Sequence, residues 1–290
     1  MDLDLAQLRA LDAAVTHGTL DAAARALHIT PSAVSQRIRA LEASLGRVLL
    51  VRSKPVAVTE SGAAALRVAR QLDALAGALA LDLAGEEGSR RLIPLGVNAD
   101  SLATWVLPAL AGLDGLDFEF HREDQDYTVS YLRDGTVMAA ITADSAPVQG
   151  CTVEPLGVMH YVPTAEREFA ARWFPHGVTA AALREAPYVD FDRKDDLQHR
   201  YLRKHRVDEA TPPRNQVPAS ADFVAAVRLG FGWGMIPTVQ QPQAGDDVIV
   251  LDEHGIDVPL YWQQWNLRSP ALDRVREAIL AGAAVLRSGR

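Results

Sequence analysis

Cysteine, long apolar runs and excess positive charge are all scarce in this sequence, and each shortage narrows the chemistry. Cys151 is the single cysteine in 290 residues, so no disulfide can form within the chain, which suits a reducing cytoplasm. No stretch of about 20 uncharged apolar residues is present to cross a bilayer. The longest apolar runs are alanine-rich and broken by Asp or Arg. The opening Met1-Asp2-Leu3-Asp4 has no basic segment, so a secretory signal is not expected.

Enzyme signatures are missing too: there is no Gly-rich phosphate loop, HExxH, CxxC or Gly-x-Ser-x-Gly. His199 and His205 are six apart and do not share a helical face, while His160 and His176 read as structural or exposed. Cys151 follows Gly150 on an expected strand and reads as a packing residue rather than a redox sensor. Neither an enzyme nor a bound metal or cofactor is expected.

The formal net charge of −8 argues against a nucleic-acid binder until it is mapped. Residues 31–58 hold Arg37, Arg39, Arg47, Arg52 and Lys54 against Glu42 alone, a local net of +4. A local basic patch is what phosphate contact requires, and acidity elsewhere discourages unspecific sticking. Apolar content of 48% and charged content of 23% are ordinary for a globular protein, and the length suits two or three compact units.

What is present is organised around residues 19–42. Leu20, Ala24 and Leu27 share one face of a first short helix; Val34, Ile38, Leu41 and Leu45 share one face of a second. Thr30 is a good N-cap, and Pro31 sits where a missing N–H costs nothing. Ala23 and Ala24 allow the helices to cross closely, with Ile29 plugging the corner. Ser32, Ser35, Gln36, Arg37 and Arg39 are left outward, and Ser32, Gln36 and Arg39 follow the i, i+4, i+7 pattern of one edge. Ser, Gln and Arg suit the edges of A and G in a major groove, so the pair reads as a helix-turn-helix. An ordinary helical hairpin with a polar face is the competing reading.

The order Ala23-Ala24, Leu27, Ala33-Val34-Ser35, Ile38, Leu41-Glu42, Leu45-Gly46, Leu49-Leu50, Arg52, Thr59 and Gly62 closely resembles the LysR-type bacterial transcriptional regulators. The resemblance is dense over the first 60 residues or so and looser beyond. It implies a winged helix-turn-helix over 1–58, with the wing at 48–58 laying Arg52 and Lys54 on phosphates or in a minor groove. The DNA-contacting candidates are then Thr30, Pro31, Ser32, Ser35, Gln36, Arg37, Arg39, Arg52 and Lys54.

After the wing, Thr59 caps a long helix running to Leu83 or Ala84. Leu72, Leu75, Ala76, Leu79 and Leu83 repeat at three- and four-residue steps, the seam of a coiled coil or bundle. About 25 residues at 1.5 Å each make a rod of roughly 37 Å. A helix packed only on its own domain is the alternative. The resemblance favours a dimerisation helix that presents two reading heads to a pseudo-palindromic promoter, with dimers pairing into a homotetramer. Gly85-Glu86-Glu87-Gly88-Ser89 reads as a polar hinge, closing a linker over 59–88.

From residue 89 to 290 strands and helices alternate. Strands are expected at 92–97, 118–122 and 137–142, with helices at 101–110 and 128–133 and a turn at Asp134-Gly135, the βαβαβ rhythm of a parallel sheet. Strands over 153–163 lead to a second lobe. It has helices near 166–174, 180–185, 197–205 and 221–229 and strands at 188–191, 216–217 and 233–237. A strand at 259–265 returns, and a last helix spans 270–286. The expected fold class is α/β. Its two lobes, about 89–162 with 267–290 and about 163–266, resemble the periplasmic-binding-protein-like effector domain of the same family.

Sites in such folds form beyond the carboxyl ends of strands, between lobes. Asn98, Ser101 and Thr104 follow the first strand, Glu123, Asp124 and Asp126 the second, and Asp144 the third; the second lobe adds Asp192 and Ser220. The helix opening at Ser101 offers unpaired N–H groups to a carboxylate. Beside so many acidic groups, that suits a zwitterion with an extra positive charge. The competing reading has these acids capping helices in solvent.

The stretch 97–110, with Phe174-Pro175-His176-Gly177-Val178-Thr179, Phe191-Asp192, Asp195-Asp196 and Met235-Ile236-Pro237, is similar to the ArgP/LysG branch of the family. Gln125 and Asp126 depart from that branch, where Glu and Thr can stand. The branch implies a small-molecule effector (lysine, arginine or histidine) and a cytoplasmic, nucleoid-associated activator that works with RNA polymerase on an exporter gene. A LysR-type regulator with another effector, or an architectural DNA-binding protein with none, is the alternative.

Overall fold

The computed structural model describes residues 4–51, 53–84, 90–122, 125–193 and 195–286, with backbone alone at 78–84 and 125–128. The expected hinge at 85–89 lies outside the described residues, as do the side chains of Leu79 and Leu83. Helix α1 (Leu5–Thr16) buries Leu8 and Leu11 and is capped by Asp4, whose carboxylate accepts from the N–H groups of Ala6 and Gln7. Helices α2 (Leu20–Ala26) and α3 (Pro31–Leu45) follow, joined by a turn in which His28 takes a left-handed φ of 54°. Ala23 and Ala24 are fully buried where α2 crosses its neighbours, and Leu20, Leu27 and Ile29 pack around them.

The wing is a two-stranded antiparallel hairpin, β1 (Leu50–Val51) and β2 (Ala57–Val58), with Leu50 opposite Val58. Glu42 anchors it: its Oε1 accepts the Leu49 N–H at 2.9 Å. Helix α4 (Glu60–Ala84) begins under Thr59, whose hydroxyl donates to the Val48 carbonyl and accepts from the Gly62 N–H. A Cβ on Gly62 would overlap the Leu49 carbonyl, so α4 can lie this close to the wing only with glycine there. Leu66 and Ala69 of α4 complete a core with Leu8, Leu11, Leu41 and Leu49.

Among the described residues the second half is built on one seven-stranded sheet and one two-stranded parallel sheet. Strand β3 (Arg91–Val97) leads through α5 (Ala99–Ser101), a π-helical turn (Leu102–Val106) and α6 (Leu107–Leu110) to β4 (Leu116–Arg122). Helix α7 (Gln125–Asp134) and β5 (Ala139–Thr142) complete the expected parallel rhythm, β3 pairing in parallel with both β4 and β5. The strands expected over 153–163 are one 16-residue strand, β6 (Cys151–Glu166), which crosses between lobes.

The second lobe contains α8 (Arg167–Trp173), α9 (Ala180–Glu185), β7 (Tyr188–Asp190), α10 (Leu197–Lys204), β8 (Arg214–Gln216), α11 (Ser220–Arg228) and β9 (Gly234–Pro237). After a 3-10 turn come α12 (Gln241–Ala244) and β10 (Val248–Val250). The sequence reading missed β10, three residues too short to show an alternation. Strand β11 (Ile256–Trp265) returns antiparallel to β6 and β5, three residues longer than expected. Helix α13 (Pro270–Gly282) ends in a 3-10 turn and is tied to β6 by a two-pronged ion pair from Arg276 to Glu154. Trp233, Trp262 and Trp265, fully buried, fill the core between these layers. Among the described residues no helix is long and apolar enough to cross a membrane.

Candidate functional site

Two regions carry polar groups that the fold does not consume. In the first, α3 buries Val34, Ile38 and Leu41 against α1 and α2, which turns its opposite edge outward. The Thr30 hydroxyl accepts the Ala33 N–H at 3.1 Å, and Pro31 occupies the first turn, so both serve the helix start. Ser32, Gln36 and Arg39 are exposed along one edge, while Ser35 and Arg37 are half-buried beside it. Lys54 is exposed at the wing; Arg52 lies outside the described residues.

The second region is the crevice where both lobes meet β6. Strands β3 and β4 end at the same edge, Val97 opposite Arg122. Beyond Val97, the Asn98 side chain caps the next helix by accepting the Ser101 N–H at 2.8 Å, and this starts the helix at Ala99 rather than at Ser101. Asp100 is thereby aimed across the crevice. Tyr161 of β6 donates its hydroxyl to Asp100 Oδ2 at 2.8 Å, and Ser220, at the start of α11, donates to Oδ1 at 2.8 Å. Gln240 Nε2 donates in turn to the Ser220 hydroxyl, and the Thr104 hydroxyl donates to the Asp100 carbonyl. Three segments, one from each lobe and one crossing strand, converge on a single carboxylate.

The electrostatics follow from desolvation. Burial raises the Asp100 carboxyl above its usual range, against the pull of the two donated hydroxyl bonds. Burial and the Asp100 charge push the Tyr161 phenol well above its normal value. Asp195 is pushed up to about 7, by burial first and then by the neighbouring carboxylates of Asp100, Asp190 and Asp196, against a backbone hydrogen bond from Leu197. Asp190 is fully buried, and neither oxygen has a hydrogen-bond partner among the described residues. His199 Nε2 at 3.5 Å and Arg214 Nη1 at 3.7 Å only partly offset the burial that raises its pKa. Ser101 is fully buried, with a hydroxyl that also lacks a partner among the described residues. Leaving a buried polar group unpaired is costly.

Of the residues chosen from sequence, Asn98, Ser101, Thr104 and Ser220 are brought together here. Asp192 is half-buried at the rim, its Oδ1 accepting the Asp195 N–H at 2.9 Å. Asp144 is exposed and accepts the Ala146 N–H within its own turn. Glu123 and Asp124 lie outside the described residues, and Asp126 is described by its backbone in α7 alone. Sequence reasoning did not choose Asp100, Tyr161, Asp190, Asp195 or Gln240. Asp100 had a usable signal, since it lies between Asn98 and Ser101 at a strand end; Tyr161 had none, because its role depends on β6 crossing between lobes.

Comparison with known proteins agrees with this layout. Residues 5–63 match the bacterial regulatory helix-turn-helix protein, lysR family, and residues 86–284 match the LysR substrate binding domain. The chain is 44% identical to the HTH-type transcriptional regulator LysG of Mycobacterium tuberculosis over 292 residues, 99% of this chain and 96% of that one. It is 40% identical to the lysine export transcriptional regulatory protein LysG of Corynebacterium efficiens over 276 residues, 93% of this chain and 94% of that one. The crystal structure of ArgP from Mycobacterium tuberculosis superposes with a TM-score of 0.90 at 43% identity, covering 98% of this chain and 99% of the other. Full-length LysG of Corynebacterium glutamicum with bound effector Arg superposes with a TM-score of 0.81 at 35% identity, again covering 98% and 99%. These relatives are transcriptional regulators rather than enzymes. With both halves matched, the chain belongs to the LysR family and is a transcriptional regulator of the LysG/ArgP type.

Proposed function

We propose that this regulator binds promoter DNA through α3 and the wing, and that a basic amino acid in the interlobe crevice switches it to activate an exporter gene. The observation that carries the effector reading is the Asp100–Asp190–Asp195 cluster. It is a desolvated group of carboxylates, and Asp100 and Asp195 have no ion-pair partner among the described residues. A lysine or arginine side chain supplies a positive charge where low local dielectric makes it count. The Ser101 hydroxyl, without a partner among the described residues, suits the ligand's carboxylate. The arginine bound by the Corynebacterium glutamicum relative supports the same class of ligand. Closing of the lobes on ligand then changes how the reading heads meet DNA, by as much as the ligand's affinity differs between the two arrangements.

Thermal melting against a panel of amino acids tests this. At about 100 times its Kd a ligand adds about 2.7 kcal/mol of stability, so millimolar lysine or arginine should raise the melting temperature by several degrees while leucine leaves it unchanged. Equal responses to leucine and arginine, or no response to any basic amino acid, would remove the effector reading and leave the DNA reading standing.

A dimer is part of the proposal. Leu72 and Leu75 are 37% and 40% exposed on α4, next to exposed Ala76, on a face turned away from both packed cores. Two such helices side by side would bury that stripe. The Leu72→Glu, Leu75→Glu variant is expected to sediment as a monomer and to lose cooperative occupation of paired half-sites. An unchanged sedimentation coefficient would place the dimer contact elsewhere.

A further inference from the structure

Arg70, midway along α4, joins units that the two sites above leave separate. Its Nε donates to Asp12 Oδ1 at 2.8 Å and its Nη2 to the Thr16 hydroxyl at 3.4 Å, both on α1 of the reading head. Its Nη1 donates to the Thr136 hydroxyl at 2.8 Å, in the turn from α7 to β5, and to the carbonyl of Asp134, the last residue of α7, at 3.2 Å. The Asp134 carboxylate adds a charge contact at 3.6 Å and fixes the turn by accepting the Thr136 N–H at 2.8 Å. The side chain is only 19% exposed, so these contacts are not loose surface pairs. The turn can reach α4 because Gly135, at a φ of 79°, has no side chain: a Cβ there would stand 3.0 Å from the Arg67 Cα.

Position gives the junction a consequence. Helix α7 starts just past Arg122, at the strand-end edge where Asn98 and Asp100 stand, and finishes at Asp134 against Arg70. Ten residues at 1.5 Å each make a rod of about 15 Å between the crevice edge and the junction. Neighbouring pairs on α4 do less. Arg9–Asp73 links α4 to α1 in solvent, and Arg91 reaches the Ala74 carbonyl from β3, but neither spans both sides.

We propose that Arg70 is the positioning residue that holds the reading head at a set angle to the first lobe and passes movement of α7 on to it. The second part of this rests on the effector reading above; the first does not. A guanidinium suits the task because its rigid fork can hold acceptors on opposite sides at once, which the single ammonium of lysine cannot.

The test uses the full-length chain with Cys151→Ser and spin labels on cysteines replacing exposed Arg25 and Ala111, diluted into unlabelled protein so that distances within one chain are read. The parent should give narrow peaks between reading head and first lobe, one for each arrangement that the assembly adopts. Arg70→Ala should broaden them, and Arg70→Lys, which keeps the Asp12 pair but not the Thr136 and Asp134 contacts, should fall between. A distribution for Arg70→Ala that superposes on the parent overturns the proposal. If Arg70→Ala does not fold, Thr136→Val, which removes one acceptor only, is expected to broaden the distribution, and no broadening there is equally fatal.

On the same samples, arginine affinity measured without DNA should match the parent in Arg70→Ala. The ratio of DNA affinities with and without arginine should shrink about fivefold or more toward one. A parent whose DNA affinity ignores arginine would sink the effector reading, while the distances would still decide the role of Arg70.

Discussion

The Gln36→Ala, Arg39→Ala double variant is expected to lose roughly thirtyfold or more of its affinity for the promoter DNA upstream of its target gene, with its melting temperature and arginine affinity unchanged. Both side chains are exposed on one edge of α3, and the buried Val34, Ile38 and Leu41 that seat the helix are untouched. A good bidentate contact to a base edge is worth about 1–3 kcal/mol, so two contacts remove about 2–6. Each single variant should relax the preference at one base position. Lys54→Ala, by contrast, is expected to remove a phosphate contact, weakening all sequences alike and lowering the salt dependence by about one unit of slope. Footprints and gel shifts at two salt concentrations separate these cases. A double variant that footprints like the parent would mean that this edge of α3 does not face the groove.

The reading head was legible in the sequence because its determinants are local. Helical spacing placed Val34, Ile38 and Leu41 inward, and one hydroxyl followed by proline marked the start of α3, which Thr30 and Pro31 provide. The residues that the family resemblance singled out have packing reasons: Glu42 holds the Leu49 N–H, and Gly62 makes room for the Leu49 carbonyl. Arg37 was grouped with the outward residues but is half-buried, because the i, i+4, i+7 edge runs through Ser32, Gln36 and Arg39 instead.

The crevice was legible only in part. Strand ends and helix starts pointed to Asn98, Ser101, Thr104 and Ser220, since those are local features. The carboxylate at the centre, Asp100, is defined by Tyr161 and Ser220, which are 61 and 120 residues away in sequence. Asp190 and Asp195 gain their character from burial, which a run of acidic letters does not reveal. Arg70 was invisible for the same reason: its partners Asp12 and Thr136 are 58 and 66 positions off, on opposite sides.

Burial of Asp195 has a consequence in solution: arginine should bind more tightly as pH rises, by up to about tenfold per pH unit below about 7, and level off above it. The cause is that its carboxyl, pushed up to about 7, holds a proton that an arriving cation displaces. The sign can be checked through stability. A raised carboxyl binds its proton in the folded chain where the unfolded chain, near 3.8, has already lost it, so without ligand stability falls as pH climbs from about 4 to about 7. A bound cation favours the ionised form and opposes that fall.

Arginine is the right probe because its guanidinium stays charged throughout this range. Calorimetry at pH 6 in buffers of different ionisation enthalpy should show close to one proton released per arginine, and at pH 8 almost none. Asp195→Asn should lower the release and flatten the pH profile. His199 contacts Asp190 and Glu209 rather than Asp195, so His199→Gln should leave the release in place. Identical binding heats in every buffer at pH 6 would mean that the cation does not enter beside Asp195, and the guanidinium would then have to be sought at the rim, near Asp192.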